Sequence, residues 1–107
     1  MYPEDKIKEA LLQVDVEVFH YYALHPSDRY VVWAEDGEGT ELVADNRKIG
    51  QVLSGTIDFF TKTEQDPARE EIQRALGDAE ISYSLNSVQY EEETGYIHYE
   101  WRLEVVG

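Results

Sequence analysis

The stretch "ISYSLNSVQYEEETGYIHYEWRLEVV", Ile81 to Val106, predicts the β-hairpin that decides the fold. In its second half apolar residues occupy every other position, with mostly charged residues between them. Because successive side chains of a strand point to opposite faces, this alternation predicts a strand with one buried face. His98 and Glu100 then lie together on the polar face. The predicted core-facing residues are Ile97, Tyr99, Trp101, Leu103 and Val105.

The first half of this stretch changes its apolar parity midway. Its apolar residues are Ile81, Tyr83 and Leu85 at odd numbers, then Val88 and Tyr90 at even numbers. A regular ladder from the turn "EETG" would set Leu85 against Arg102 and break the common apolar face. One extra residue near Asn86 and Ser87 restores that face, so we predict a β-bulge there. The predicted pairs are Tyr90–Ile97, Val88–Tyr99, Leu85–Trp101, Tyr83–Leu103 and Ile81–Val105.

Two segments have the spacing of amphipathic helices. The segment "PEDKIKEALLQV" begins at Pro3, which suits a first-turn position, and "DPAREEIQRALGD" places Asp66 as a cap before Pro67. Gly77 is the predicted end of the second helix. The predicted buried stripes are Ile7, Ala10, Leu11 and Val14 in the first helix, and Ala68, Ile72, Ala75 and Leu76 in the second.

The segments between these helices favour strands. "VDVEV" alternates in parity, "RYVVWAE" and "TELVAD" indicate a hairpin turning at Asp36–Gly39, and Gly50–Lys62 is a long strand with a bend or bulge at Gly55. This order predicts an α+β domain of the form α-β(3-4)-α-β-β. The expected sheet is antiparallel, with both helices on one face.

Length and composition set limits on the class of protein. A chain of 107 residues with 42% hydrophobic content suits one globular domain, residues 1–107. The net charge of −14 argues against binding nucleic acid through its phosphates, which needs a basic patch. There is no cysteine, no apolar run of membrane-spanning length and no basic, apolar leader at the start, so we expect a cytosolic protein.

Few residues suggest chemistry. His98 and Glu100 could act as a base with its orienting carboxylate or as two metal ligands, although an exposed cross-strand pair with Arg102 nearby is favoured over both. His20, His25 and Asp28 have no regular ligand spacing, so no metal site is predicted. No phosphate-binding loop, calcium loop or nucleophile elbow is present. We expect no enzyme activity, no catalytic residue and no cofactor.

Two longer strings resemble a known family. The run "ADNRKIGQVLSGTIDFFTKTEQDPAREEIQRAL", Ala44 to Leu76, and the run "SVQYEEETGYIHYEWRLEVV", Ser87 to Val106, are similar to the small tail-terminator (tail-completion, head–tail joining) proteins of long-tailed bacteriophages and prophages of Gram-positive bacteria. In that family a strand leads into an acidic helix started by Asp-Pro, and a hairpin closes the chain. Before Ala44 the agreement is one of pattern only.

The resemblance implies a virion structural protein without catalytic residues. Such subunits form a ring, usually a hexamer, that caps the tail tube, stops its polymerisation and offers a surface to the head connector. The partners it implies are further copies of this chain, the tail tube protein and the connector or neck protein. It also implies a location at the tail end of the virion, and in the host cytoplasm during assembly. DNA would pass through the ring without specific binding, and no membrane is involved.

Three projecting segments are the candidate protein contacts. They are the turn Asp36–Thr40, the loop Asp45–Lys48 and the hairpin tip Glu91–Thr94. Their candidate residues are Asp36, Gly37, Glu38, Asp45, Arg47, Lys48, Glu91, Glu92 and Glu93. Arg47 and Lys48 stand out in so acidic a chain because they could pair with the acidic rim of a neighbour.

Three other functions are compatible with the sequence. A head-side completion or neck protein is hardly separable from a tail-side one. An acidic DNA mimic or inhibitor would place carboxylates in two rows on one face, whereas a terminator would place apolar patches at subunit edges. A small hydrolase would require His98, Glu100 and a further carboxylate to converge in a cleft.

Overall fold

A computed structural model describes the backbone of residues 2–38, 43–44, 47–48 and 52–106, and the side chains of residues 2–37 and 52–106. The helices are α1 (Pro3–Leu11) and α2 (Ala68–Asp78). The strands are β1 (Glu17–His20), β2 (Arg29–Glu38), β3 (Val43–Ala44), β4 (Arg47–Lys48), β5 (Val52–Thr61), β6 (Ser82–Glu91) and β7 (Tyr96–Val106).

Five of these strands form one mixed sheet in the order β1-β2-β5-β7-β6. The predicted α+β class is confirmed, but the prediction of a purely antiparallel sheet is wrong because β1 runs parallel to β2. The predicted count of three or four strands between the helices also differs. The described residues between α1 and α2 contain five strands, because β3 and β4 form a small two-stranded sheet in addition to β1, β2 and β5.

The parallel pairing of β1 comes from the loop that follows it. After His20 the chain returns to the start of β2 within residues 21–28, which is short for a parallel connection. Two residues of this loop, Tyr21 and His25, have left-handed backbone conformations, with φ of 74° and 55°. These conformations turn the chain sharply, and because β1 has only four residues, a short loop can bring the chain back to its start.

The predicted turn at Asp36–Gly39 is wrong for the described residues, because Asp36 to Glu38 belong to β2, and Gly37 and Glu38 pair with β5. The ladder shifts at Asp36, opposite Gly55. A Cβ at Gly55 would lie 2.5 Å from the carbonyl oxygen of Ala34, so a side chain there would block the close approach of β2. The irregularity predicted at Gly55 is therefore present, with the extra residue on the partner strand.

The core lies between the helices and one face of the sheet. The predicted helical stripes and the odd-numbered residues of β5 and β7 meet in a single cluster. Ile57, Phe59 and Trp101 are fully buried at its centre, and Leu11 and Leu76 cover them from the helices. The other face of the sheet has no helix on it in the described part of the chain.

The β6–β7 hairpin has the register that the parity slip predicts. Leu85 pairs with Trp101 and Ser87 with Glu100, so Asn86 is the extra residue of a bulge. The side chain of Asn86 donates a hydrogen bond of 2.9 Å to Glu100. The predicted pairs from Tyr83 to Tyr90 are confirmed. Ile81 differs, because it lies before β6 and is buried without a place in the ladder.

The start of α2 is held by the carboxylate of Asp66, which is almost fully buried. It accepts hydrogen bonds from the Ala68 N–H at 2.9 Å and the Thr61 hydroxyl at 2.7 Å. Arg29 donates two more, at 2.7 and 2.9 Å. Because Pro67 already has helical dihedral angles, Asp66 acts as the predicted cap.

The end of α2 lies beyond Gly77, so the predicted stop at that glycine is wrong. The helix continues to Asp78, and the left-handed residue is Glu80, with φ of 59°. The Ile81 N–H donates to the Leu76 carbonyl and the Glu80 N–H donates to the Gly77 carbonyl, which is the Schellman arrangement. Burial of Ile81 and Leu76 offsets the roughly 1 kcal/mol that a left-handed non-glycine residue costs.

Deletion of Asn86 is expected to leave the fold intact, because the residues on both sides of the bulge would keep their partners in β7. Its free energy of unfolding should stay within about 1 kcal/mol of the parent value. Deletion of Ser84 is the matched control, because it would move Leu85 to the polar face and should destabilise by at least about 1 kcal/mol more. Urea unfolding measures both, and equal losses would contradict the bulge assignment.

Acid should weaken the fold through Asp66. Burial on its own would raise the pKa of this carboxyl. The hydrogen bonds from Arg29, the Ala68 N–H and Thr61 outweigh burial and lower the pKa from 3.8 to about 2. The ionised Asp66 carboxylate therefore stabilises the fold. Its contribution is complete above 3.8, the pKa of the group in the unfolded chain, and is lost as the pH falls from 3.8 to about 2.

The loss should amount to roughly 2 kcal/mol of unfolding free energy. Urea midpoints measured from about pH 2 to pH 6 should show this component in the parent and not in Asp66→Asn. Asp28→Asn, an exposed site 3.5 Å from Lys62, should leave the pH profile unchanged. Identical profiles for the parent and Asp66→Asn would contradict this role.

Candidate functional site

The sheet face opposite the helices carries an aromatic cluster that includes His98. Phe60 stacks on His98 with ring centroids 4.2 Å apart and on Tyr30 at 4.8 Å. Tyr96 packs edge-on against Tyr30 and Phe60, and its hydroxyl donates a hydrogen bond of 2.6 Å to the Ser27 carbonyl. Phe19 extends the cluster to β1. The polar face predicted for His98 is thus confirmed, and His98 is half-buried there.

Both ring nitrogens of His98 face carboxylates. Nε2 lies 2.7 Å from Asp58, and Nδ1 lies 3.8 Å from Glu91. The hydrogen bond to Asp58 is the main reason that the pKa of His98 lies above its ordinary value. A histidine held in this way favours the imidazolium form, which has no lone pair with which to accept a proton as a general base does.

Glu100 and Arg102 have partners other than His98. Glu100 accepts the hydrogen bond from Asn86, and Arg102 donates to Asp36 at 2.8 Å. The pairing of His98 with Glu100 considered from the sequence is therefore replaced by pairing with Asp58. The signal that could have identified Asp58 is the register of β5 against β7, where Phe60 opposes His98 and Asp58 opposes Glu100.

The other two histidines are separate from this cluster. His20 lies between Tyr21 and Trp33, with centroid distances of 3.9 and 3.8 Å, and its Nε2 is 2.8 Å from Glu35. Asp28 contacts Lys62 rather than a histidine. Among residues 2–38 and 52–106, together with the short strands β3 and β4, no group of three or more potential metal ligands comes together.

Two of the three predicted contact segments lie at opposite ends of the sheet. Asp36, Gly37 and Glu38 are at one end of the sheet, and Asp36 is tied to Ser54 as well as Arg102. The tip with Glu91, Glu92 and Glu93 is at the opposite end, where Glu92 and Glu93 are exposed.

The remaining predicted contact segment, Asp45–Lys48, lies only partly within the described residues. Arg47 and Lys48 form β4, whose backbone pairs with β3. Asp45 lies outside the described residues, and so do Gly39 and Thr40. The proposed pairing of the two cations with a neighbour therefore stays a prediction.

Apolar side chains are exposed at both edges of the sheet. On edge strand β6 they are Tyr83, Leu85, Val88 and Tyr90, which are 37–65% exposed. We call this set the β6 row. At the other edge, the loop after β1 exposes Tyr21, Tyr22 and Leu24 by 58–66%. We call these three residues the β1 loop patch. Such grouped exposure is typical of protein contacts.

Comparison with known proteins gives no relative for this chain, since no family model and no curated protein matches it.

None of the described helices is long and apolar enough to cross a membrane.

Asp58→Asn should lower the pKa of His98, because it removes the largest cause of the increase. Glu100→Gln is the matched control and should lower that pKa less, since Glu100 acts only at a distance. NMR titration of the imidazole protons measures both changes. Because the pKa of His98 is higher in the folded protein than in the unfolded chain, protonated His98 stabilises the fold. This stabilisation is complete below about pH 6.5 and is lost as the pH rises through the folded pKa. Equal shifts in the two variants would contradict the assigned partner.

Proposed function

We propose that this protein is a tail-terminator subunit of a long-tailed bacteriophage or prophage. It forms a ring that caps the tail tube, stops polymerisation and presents a joining surface to the head connector. The observation that carries the proposal is the exposure of apolar side chains at opposite edges of one sheet. A closed ring needs two different patches on each subunit, and the β6 row and the β1 loop patch supply them.

The arrangement of the family-like strings supports the same function. The described parts of these strings include β4, β5, most of α2, the second half of β6 and β7, and of these β5, α2, β6 and β7 belong to the main sheet and its helix layer. Within it a strand leads into a helix capped by Asp66, and the closing hairpin carries "IHYEW" on its return strand. This is the order of elements that the resemblance implies.

The charge of the chain suits a ring through which DNA passes. With a net charge of −14, the surface repels phosphates rather than holding them. Several carboxylates are nevertheless engaged within the subunit, as Asp66 is with Arg29, Asp36 with Arg102 and Asp58 with His98. These pairs leave the lumen to be lined by other acidic residues.

The same charge favours a second candidate, an acidic DNA mimic or inhibitor. Mimicry requires free carboxylates in two rows on one face. On the open face Asp36 and Asp58 are paired with Arg102 and His98 instead, which weakens this candidate. Binding of the purified protein to a DNA-binding enzyme, competed by duplex DNA, would favour mimicry over termination.

The decisive experiment mixes the protein with polymerising tail-tube subunit from the same genome and measures tube length by electron microscopy. We expect short, capped tubes with the parent protein and long tubes without it. Leu24→Lys should restore long tubes, because it places a charge in the β1 loop patch. Leu12→Lys is the matched control, with a side chain that is 65% exposed against 61% for Leu24, and should still cap. Tubes unaffected by the parent protein would contradict termination, and binding to connector rings alone would indicate the head-side role.

A further inference from the structure

Strand β6 is an edge strand that has the bulge at Asn86 but lacks the prolines and charged side chains that also keep such edges from pairing. It has one neighbour, β7, among the described strands. From Ser82 to Tyr90 it contains no proline and no charged residue, in a chain of which 30% is charged. Unpaired backbone groups along such an edge are a template for another strand.

The pattern of β6 is symmetric about Ser87. Nine of its residues pair with β7, and Ser87 is the fifth of these. Positions at equal distance from it lie on the same face, because the bulge at Asn86 keeps the β6 row on one side. Tyr83 matches Tyr90 and Leu85 matches Val88 as apolar pairs, Ser84 matches Gln89 as an uncharged polar pair, and only the outermost pair, Ser82 with Glu91, differs in charge.

We propose that two copies of this chain pair antiparallel along β6, with Ser87 of each copy on the two-fold axis. This pairing sets Tyr83 against Tyr90 and Leu85 against Val88 of the second copy on the helix side. It sets Ser84 against Gln89 on the open side. The two five-stranded sheets then form one continuous sheet, with cross-strand pairs of the kinds that stabilise such ladders.

Two features favour a second copy over an unrelated strand. The near-symmetry about Ser87 lets a second antiparallel copy set Tyr83 against Tyr90 and Leu85 against Val88, so each copy supplies the apolar pattern that the other presents. Two copies with a charge of −14 each repel one another, and the uncharged segment Ser82–Tyr90 is a surface along which they can meet without placing carboxylates opposite each other.

The pairing also has a consequence that rests on the proposed function. It is self-complementary, so it joins two copies and stops, whereas a ring requires a different surface on each side of the subunit. The dimer covers the β6 row, and it therefore competes with ring closure away from the tube. The dimer is tested on the free protein, so its failure and a failure to cap tubes are separate results.

The absence of cysteine allows a direct test of register by disulfide cross-linking. Ser87→Cys should form a covalent dimer on mild oxidation, because directly opposed Cβ atoms lie close enough for a disulfide. Ser84→Cys is the matched control and should not cross-link, since the two Cβ atoms would be about 14 Å apart. The double variant Ser84→Cys/Gln89→Cys should cross-link again. Equal cross-linking of the two single variants, or none by Ser87→Cys, would overturn the proposal.

Sedimentation equilibrium tests the pairing without cysteines. Val88→Lys should weaken dimerisation at least tenfold by placing a cation in the β6 row. Val106→Lys, at a similarly exposed valine on β7, should leave the dimer unchanged. A parent protein that stays monomeric at millimolar concentration, or equal weakening by both variants, would show that β6 does not pair with itself.

Discussion

The buried carboxylate of Asp66 is the interaction on which the rest of the structure depends. It joins the start of α2 to the end of β5 through Thr61 and to the start of β2 through Arg29. With α2 fixed at this end, it lies beside α1 and contacts β6, while α1 contacts β5 and β7. The β6 row on this side of the sheet is still exposed, and the β1 loop patch is exposed at the other edge, near Tyr30 and His98 of the open face. The contacts proposed for this protein use these two exposed sets.

Local patterns in the sequence predicted the parts of the fold that depend on near neighbours. The stripe of α2 and the bulge at Asn86 could be identified because apolar periodicity and parity specify which face is buried. The partners of β1 and β2 could not, since strand pairing is set by distant residues. The glycines after Asp36 indicated a turn, but Gly55 lies across the sheet and allows β2 to continue beside β5.

Only part of the candidate site could likewise be predicted from the sequence. Parity placed His98 on the polar face, but its partner Asp58 depends on the β5–β7 register, which no local pattern reveals. The acidic tip and the turn at Asp36 were predicted as contacts because they would project from the sheet. The exposure of the β6 row could not be predicted, because an alternating strand has the same pattern whether or not a helix covers its apolar face.

The central claim is that this chain meets other chains through the edges of its sheet. Amide hydrogen exchange measured on dilute free protein and on protein bound to tail tubes tests it most directly, since pairing at an edge protects backbone N–H groups. The account predicts that protection on assembly increases in Ser82–Glu91 and in residues 21–28, with little change in α1 and α2. Protection confined to the helices or to the tip at Glu91–Gly95 would contradict it.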